Sequence, residues 1–409
     1  PQDFIDDLVA RADIVEVIGR RVQLKKAGRE FKACCPFHDE KTPSFTVSPS
    51  KGFYHCFGCG AHGTAVGFLR EFDHMSFVEA IESLANSMGV EVPRNESDRP
   101  ARRYDELFDL MSRVERYWQQ GLRENSAAVE YLKQRGIDGN TARRFGLGYA
   151  ADAWSSVLDK FGTSQEAIDR LLAAGLVIRK DNGGHYDRFR DRIMFPIRDV
   201  RGRCIAFGGR AMGDGEPKYL NSPETVLFHK GRELYGLYEA RQALRQIDRF
   251  VVVEGYMDVV ALARHGIDFS VATLGTATTA DHLNRLFRLT ENIDFCFDGD
   301  RAGKQAAWRA LETALPHIRE GRQVRFVFLP DGQDPDSYVN ARGADAFIKA
   351  LDDGLALSDY LITELAQQVD LDTVDGRARL AELARPLVAR IPQGVYRELL
   401  TESLAQTVG

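Results

Sequence analysis

Cys35, His38, Cys56 and Cys59, spaced C-x2-H-x17-C-x2-C, restrict what the N-terminal part of this chain can fold into more than any other residues. Each pair can offer two ligands from one tight turn, and the spacer is long enough for a β-hairpin. Three thiolates and an imidazole meeting tetrahedrally describe a closed structural Zn2+ site, whereas a catalytic site keeps one position open. Gly58 and Gly60 flank the second pair, and Gly52 precedes the aromatic run Phe53-Tyr54-His55. Cys34 breaks the spacing and is left as a spare thiol. One structural zinc ion is expected.

The remaining cysteines, Cys204 and Cys296, stand in strand-like apolar runs, a usage that suits a reducing cytoplasm. A hydrophobic content of 44% with 28% charged residues fits a globular protein, and 409 residues suggest two to three domains. No apolar run approaches the ~18 residues of a membrane span. The acidic, amphipathic opening PQDFIDDLVARADIVEVIG is unlike a signal peptide. Pro1 is not a translational start, so a processed chain or a fragment is expected. The net charge of −6 excludes a uniformly basic nucleic-acid coat, but the basic residues are concentrated. Between Arg20 and Lys32 six basic residues face one acid, and between Arg179 and Arg210 nine face four. Such stripes can bind phosphate backbones locally and salt-sensitively.

Along the chain, Ser76-x-x-Glu79 reads as a capping box opening SFVEAIESLANSMG, with Gly89 as its stop. The polar VPRNESDRPARR reads as a linker. Near residues 188–192 arginines alternate with Phe189 and Asp191, and period two puts Arg188, Arg190 and Arg192 on one face of a strand. From Phe250, wholly apolar strands (FVVV, FSVATL, IDFCF, VRFVFL) alternate with amphipathic helices, which predicts a parallel sheet buried on both faces. The expected fold is multidomain α+β. A zinc-ribbon domain occupies 1–95 and a linker 96–108. A basic, mixed α/β subdomain follows over 109–245, a parallel α/β sheet over 246–345 and a helical appendix over 346–409.

The strands end in acids: Glu254-Gly255, Asp298-Gly299-Asp300, then Asp331, Asp334 and Asp336. In an open α/β sheet the functional crevice lies beyond the carboxyl ends of the strands, so these acids should converge. Hard oxygen ligands without histidine or cysteine fit Mg2+ or Mn2+ held with substrate phosphates. Gly299 to Lys304, G-x-x-x-G-K, imitates a phosphate loop but is one residue short, with Gln305 where Ser or Thr should stand. Gly146-x-Gly148 has no strand before it. Neither carries a nucleotide site.

ACCPFHDEKTPSF and FYHCFGCGAHG, then RFRDRIMFPIRD, FGGR, PKYLNSPET and FHKG, then VVVEGYMDVVAL and FDGDRAG, resemble in order and spacing the blocks of bacterial DnaG-type DNA primases. The resemblance runs from about Phe4 through the last helices. It implies a Toprim catalytic module and template-directed synthesis of short RNA primers on single-stranded DNA from NTPs, by Mg2+- or Mn2+-dependent nucleotidyl transfer. Carried over by position, it assigns Glu254, Asp298 and Asp300 as core catalytic, metal-binding acids, and Asp258, Asp334 and Asp336 as supporting acids at the metal site. Arg135, Arg210, Lys218 and Lys230 become nucleotide and template contacts, and the Cys35/His38/Cys56/Cys59 set the zinc ligands. It implies a single-stranded template, an RNA–DNA hybrid product, no membrane, a cytoplasmic place at the replication fork, and single-stranded-DNA-binding protein as a further partner. The family also engages the replicative helicase, through a C-terminal domain that this chain is expected to lack.

The chemistry agrees with the residues, since a divalent pair can activate a 3′-hydroxyl and neutralise the leaving pyrophosphate without a side-chain base. Phe53, Tyr54 and Phe57 are candidates either to stack on template bases or to pack around the metal core. A Toprim topoisomerase or nuclease would need a tyrosine nucleophile, for which Tyr256 and Tyr360 are available, and leaves the PKYLNSPET and HKG blocks without a role. A non-catalytic zinc-ribbon scaffold leaves the acids unexplained.

Overall fold

The computed structural model describes the chain except residues 1–4, 6–7, 10, 39, 74, 76, 89, 91–98, 182 and 214. The Ser76 half of the capping box, the Gly89 stop and the first part of the expected linker therefore lie outside the described residues. Two compact units are present, Pro1–Arg102 and Arg103–Gly409.

The first unit is a five-stranded antiparallel sheet in sequential order, β1 (Lys25–Ala27), β2 (Glu30–Ala33), β3 (Phe45–Ser48), β4 (Phe53–Cys56) and β5 (His62–Gly63). Helices α1 (Ile14–Gly19), α2 (Ala65–Phe72) and α3 (Phe77–Ser87) accompany it. The expected hairpin is β3–β4, turned at Gly52 with its φ of 65°. Phe45 stacks on Tyr54 at 5.1 Å, and Phe68 meets Tyr54 edge-on at 5.6 Å. Tyr54 is thus a core residue, its hydroxyl donating to Glu71 at 2.8 Å, and is not available to a base. Phe57 is 77% exposed.

The second unit opens with α4 (Arg99–Glu124), which begins inside the stretch 96–108 expected as linker. Leu107, Leu110, Met111, Val114 and Trp118 recur at helical spacing and are buried, so the polar-looking text continues an amphipathic helix. Then come α5 (Ser126–Gln134), α6 (Gly139–Arg144), β6 (Gly148–Ala150), α7 (Ser156–Phe161), α8 (Gln165–Ala173), β7 (Val177–Arg179) and β8 (His185–Asp187). With β9 (Arg192–Arg198), β10 (Cys204–Ala211) and β11 (Tyr219–Asn221), β6 forms an antiparallel sheet in the order β11-β10-β9-β6. The three alternating arginines do not share a strand face. Asp191 takes a φ of 46°, with its carboxylate accepting from Tyr149 at 2.9 Å, and β9 starts only at Arg192. Each arginine then finds its own carbonyl: Arg188 that of Asn221, Arg190 that of Asp187, and the buried Arg192 those of Gly209 and Lys218.

After α9 (Leu237–Ala243) the expected alternation follows: β12 (Phe250–Val253), α10 (Tyr256–Arg264), β13 (Ser270–Ala272), α11 (Ala280–Leu286), β14 (Asn292–Phe297), α12 (Arg301–Ala314), β15 (Gln323–Phe328) and α13 (Pro335–Arg342). The strand order is β13-β12-β14-β15, all parallel, with β16 (Leu355–Ala356) antiparallel on the outer edge of β15. Along β12, Val251 and Val253 enter one apolar cluster and Phe250 and Val252 another, which is the two-sided burial that a continuous apolar strand requires. α14 (Ala344–Asp352) and β16 close this sheet, so it extends past the expected boundary at 345, with Phe347 and Leu351 in its core. α15 (Leu357–Ala366), α16 (Val374–Val388) and α17 (Val395–Val408) end the chain.

The four-stranded antiparallel sheet and the parallel sheet of this unit meet at Tyr256. Its ring stacks on Phe195 at 5.4 Å and its hydroxyl donates to Asn221 Oδ1. A Cβ on Gly208 would lie 2.5 Å from that ring. Gly208→Ala should therefore displace Tyr256 and cost about 1–3 kcal/mol, read as a lower urea midpoint with unchanged slope. A midpoint equal to wild type would show that the ring has room to move.

Candidate active site and zinc centre

Among the described residues, Cys35, His38, Cys56 and Cys59 bring their ligand atoms within 4.8 Å of one another. Cys35 Sγ lies 3.8 Å from Cys59 Sγ and Cys56 Sγ 3.7 Å from His38 Nδ1. A regular tetrahedron with zinc–sulfur bonds of about 2.3 Å has sulfur–sulfur edges of about 3.8 Å, so the donor set fits Zn2+. Backbone amides reinforce it. Phe37 N–H donates to Cys35 Sγ at 3.4 Å, and Gly58 and Cys59 N–H to Cys56 Sγ at 3.3 and 3.4 Å. Burial opposes the Cys56 thiolate, but hydrogen bonds from Ser44 and these amides outweigh it and bring the group down to about 6. Burial pushes Cys35 up to about 12.

Sequence reading passed over Glu40. Its carboxylate sits 3.4 Å from His38 Nε2 and accepts from the amides of Cys35 at 2.7 Å and Ser44 at 2.9 Å, fixing the imidazole from behind. Its place two residues after His38 was the only signal. Gly58 is needed for the same imidazole, because a Cβ there would lie 2.6 Å from His38 Nε2. Cys56→Ser or Cys59→Ser should release one zinc per chain and unfold the first unit, since so small a core depends on its metal. The second unit has its own sheet and should keep its melting transition. A zinc-binding dye with two-transition calorimetry reads both, and a mutant that keeps zinc and both transitions would refute the assignment.

In the second unit β13 and β14 flank β12 on opposite sides, so the chain reverses direction across the sheet between β12 and β14. Glu254 follows β12, and Asp298 and Asp300 follow β14, so they rim the crevice at that switch point. Two glycines permit the close approach. A Cβ on Gly299 would lie 2.3 Å from the Leu329 carbonyl, and one on Gly303 2.1 Å from that of Asp298. The G-x-x-x-G-K text is thus a packing device between α12 and the strand ends.

Desolvation raises Glu254 above the ordinary carboxylate range, Asp298 and Asp300 add to it, and Arg309 opposes. Asp298 is raised by burial, then by Asp334 and Asp300. Asp300 and Asp334 also cap helices, each using one oxygen: Asp300 Oδ1 accepts from Gly303 N–H and Asp334 Oδ1 from Ser337 N–H, both at 2.7 Å. Asp258 lies deeper. Its Oδ2 accepts from Gly255 N–H at 3.0 Å and its Oδ1 from Asp336 N–H at 3.3 Å, so both oxygens fix backbone beside the crevice. Burial, with Asp334, Asp336 and Asp298 adding, pushes it to about 8. The acids do not form a preformed ligand nest as tight as the zinc set.

Of the expected basic contacts, Arg135 is exposed, with Nη1 4.0 Å from Asp336 Oδ2. Arg210 is buried, its guanidinium over the rings of Tyr131 and Tyr219 at 5.8 and 5.4 Å, and is no surface hook. Lys218 is exposed beside Tyr219. Lys230 sits apart from these, its carbonyl accepting from buried His282 at 2.9 Å and its amide donating to Glu224. Tyr131 and Asn221 were not foreseen, because nothing in their local text distinguishes them.

Because its folded pKa is raised, Asp258 holds a proton in the native state that the unfolded chain has lost. Stability must then fall as pH rises from about 4 towards about 8, by up to about 1.4 kcal/mol per pH unit. In buffer without divalent cations, urea melts of Asp258→Asn should decline less steeply over that range than wild type, and equal slopes would remove Asp258 as the source.

Fold and carboxylates define a Toprim-type nucleic-acid enzyme with an N-terminal zinc ribbon. Comparison with known proteins agrees in each segment. Residues 1–100 match the CHC2 zinc finger family, 117–241 the DNA primase catalytic core N-terminal domain, 251–339 the Toprim-like family and 358–409 the DnaB-helicase binding domain of primase. DNA primases of Pasteurella multocida and Escherichia coli K12 are each 52% identical across the full chain, which covers 71% of their length. Among solved structures, a DnaG primase catalytic domain bound to single-stranded DNA is 51% identical, with a TM-score of 0.72 over 75% of this chain and 99% of that one. The zinc-binding and RNA polymerase domains of Aquifex aeolicus primase are 33% identical, with a TM-score of 0.64 over 98% and 96%. The chain belongs to the bacterial DnaG-type DNA primases, DNA-directed RNA polymerases that make primers. The match over 358–409 overturns the expectation that a helicase-binding region is missing. The primase match also sets aside the topoisomerase reading, and its two named tyrosines, Tyr256 and Tyr360, are both buried. No helix among the described residues is long and apolar enough to cross a membrane.

Proposed function

We propose that Glu254, Asp298 and Asp300, with Asp334 across the crevice, form the centre at which this chain joins ribonucleotides on a single-stranded DNA template. The observation that carries this is the convergence of these acids at the switch point, where, besides burial, Asp298 and Asp300 raise the proton affinity of Glu254, and Asp334 and Asp300 that of Asp298. An all-oxygen, like-charged donor set fits a hard divalent cation, Mg2+ or Mn2+, arriving with a triphosphate. Bound there, the cation would supply charge neutralisation and a more acidic attacking hydroxyl.

The protein's own groups do the rest. One oxygen of Asp300 and one of Asp334 are locked in helix caps, which leaves the second oxygen of each to take a cation on short, fixed side chains. Asp258 and Asp336 serve behind them, fixing the turn at Gly255 and the start of α13. Arg135 and Lys218 present exposed cations for triphosphate and template phosphates. Arg210 holds the platform of Tyr131 and Tyr219, and Lys230 reaches phosphates farther along the strand. The RNA–DNA hybrid leaves over this basic face, the zinc ribbon contributes template reading, and residues 358–409 engage the replicative helicase in the cytoplasm.

Asp298→Asn and Asp300→Asn keep size and remove a hard anionic ligand. Primer synthesis on single-stranded DNA with four NTPs and Mg2+ should fall by at least about 10^2-fold, while the melting temperature in metal-free buffer holds or rises. Unchanged activity and metal dependence would take these residues out of the site.

A further inference from the structure

Arg135 and Asp336 are only 4.0 Å apart at closest approach, and the arginine is exposed. An ion pair of that kind contributes too little to fix a phosphate-binding cation in place. What fixes it is on the next residue. Arg264, the last residue of α10, donates from Nη1 to the Gly136 carbonyl at 2.5 Å and from Nη2 to Asn340 Oδ1 at 2.7 Å. Asn340 Nδ2 in turn donates to Asp336 Oδ1 at 2.7 Å. His265 Nε2 lies 3.1 Å from the same Asn340 oxygen. Both ends of the Asn340 amide are therefore used, one towards a cation and one towards a carboxylate.

The turn is shaped for this contact. Gly136 has a φ of 73°, and a Cβ there would lie 1.7 Å from Arg264 Nη1. Only glycine allows both the backbone conformation and the approach of the guanidinium. From Asp336 the bonds continue: its amide donates to Asp258, and Asp258 accepts from Gly255 beside Glu254. An unbroken chain of hydrogen bonds thus joins the backbone next to Arg135 to the backbone next to Glu254. Arg135 ends α5, whereas Glu254 and Asp336 belong to the parallel-sheet substructure.

We infer that Arg264 and Asn340 form a positioning strut that sets the distance between the phosphate-binding turn at Arg135 and the carboxylate centre. The inference rests on the reading of Arg135 as a phosphate contact. The guanidinium fork suits the task because one planar group holds two acceptors on different elements, which a lysine ammonium does with less geometric control. Misplacement of a binding cation by about 1 Å is enough to cost one to two orders of magnitude.

The test is steady-state primer synthesis by the full chain with Arg264→Ala, Asn340→Leu, Arg135→Ala and the double variant Arg135→Ala/Arg264→Ala. Arg264→Ala and Asn340→Leu should each raise KM for NTP about tenfold, with kcat within about twofold and the melting temperature unchanged. The double variant should be no worse than Arg135→Ala alone, because Arg264 acts through Arg135. Asn340 is exposed, so Asn340→Leu carries the test should Arg264→Ala fail to fold. Wild-type KM in Asn340→Leu, or multiplicative losses in the double variant, would overturn the strut while leaving the phosphate role of Arg135 intact. Wild-type kinetics in Arg135→Ala would overturn both.

Discussion

Carboxylates at the ends of neighbouring parallel strands repel one another, and the second unit around β12 and β14 is arranged to hold them together regardless. Two like charges about 6 Å apart at an effective dielectric of about 20 repel by about 3 kcal/mol. The cost is met locally by recruiting the acids into backbone bonding. Asp300 and Asp334 cap α12 and α13, and Asp258 ties Gly255 to the amide of Asp336. A helix N-terminus favours an anion through its unpaired amides and its dipole, so a carboxylate placed there is stabilised by the same geometry that aims it at the crevice. Burial first, and then the repulsion that remains, raises the proton affinities of Glu254, Asp298 and Asp258. On the proposed reading, that unfavourable energy is what a cation bound with a triphosphate relieves.

The zinc ribbon solves the opposite problem. Its sheet strands are three or four residues long at most, and its core rests on Phe45, Tyr54 and Phe68. The metal knuckles tie the loop after β2 to the end of β4, and Glu40 bonds both the Cys35 and Ser44 amides while facing His38. The aromatic text around the ligands therefore divides by role: Tyr54 fills the core, and Phe57 stays outside against the His55 ring at 4.6 Å.

Features with a strong local period or spacing were legible from the chain alone. The zinc ligands followed from spacing, the parallel sheet from wholly apolar strands set between amphipathic helices, and the acidic rim from where those strands stop. Features decided by tertiary contact were not. The arginines at 188, 190 and 192 look like one strand face until Asp191, bonded to Tyr149, breaks the run. Arg210 reads as a surface cation in FGGR, yet it is buried with its guanidinium over the rings of Tyr131 and Tyr219, contacts that its local text does not announce. The stretch 96–108 reads as linker because its first residues are polar, flanked by proline and without a period, whereas the helix that carries Leu107, Leu110 and Met111 into the core already starts at Arg99.

The glycines of F-D-G-D-R-A-G show why motif and mechanism must be kept distinct. In a phosphate loop, glycines expose amides to an anion. Here Gly299 lies against the Leu329 carbonyl and Gly303 against that of Asp298, so the same residue type brings oxygen atoms close where backbone would otherwise be held off. The result is a crevice rimmed by carboxylates, suited to a cation that accompanies phosphate and not to phosphate itself. On the proposed reading, cations for the phosphates come from elsewhere in the fold, from residues such as Arg135 and Lys218 outside the parallel sheet. On that reading, catalysis depends on how the α5 turn and the antiparallel sheet are registered against the parallel one. Tyr256, bonded to Asn221, and Arg264, bonded to Gly136, make that registration from the two ends of a single helix.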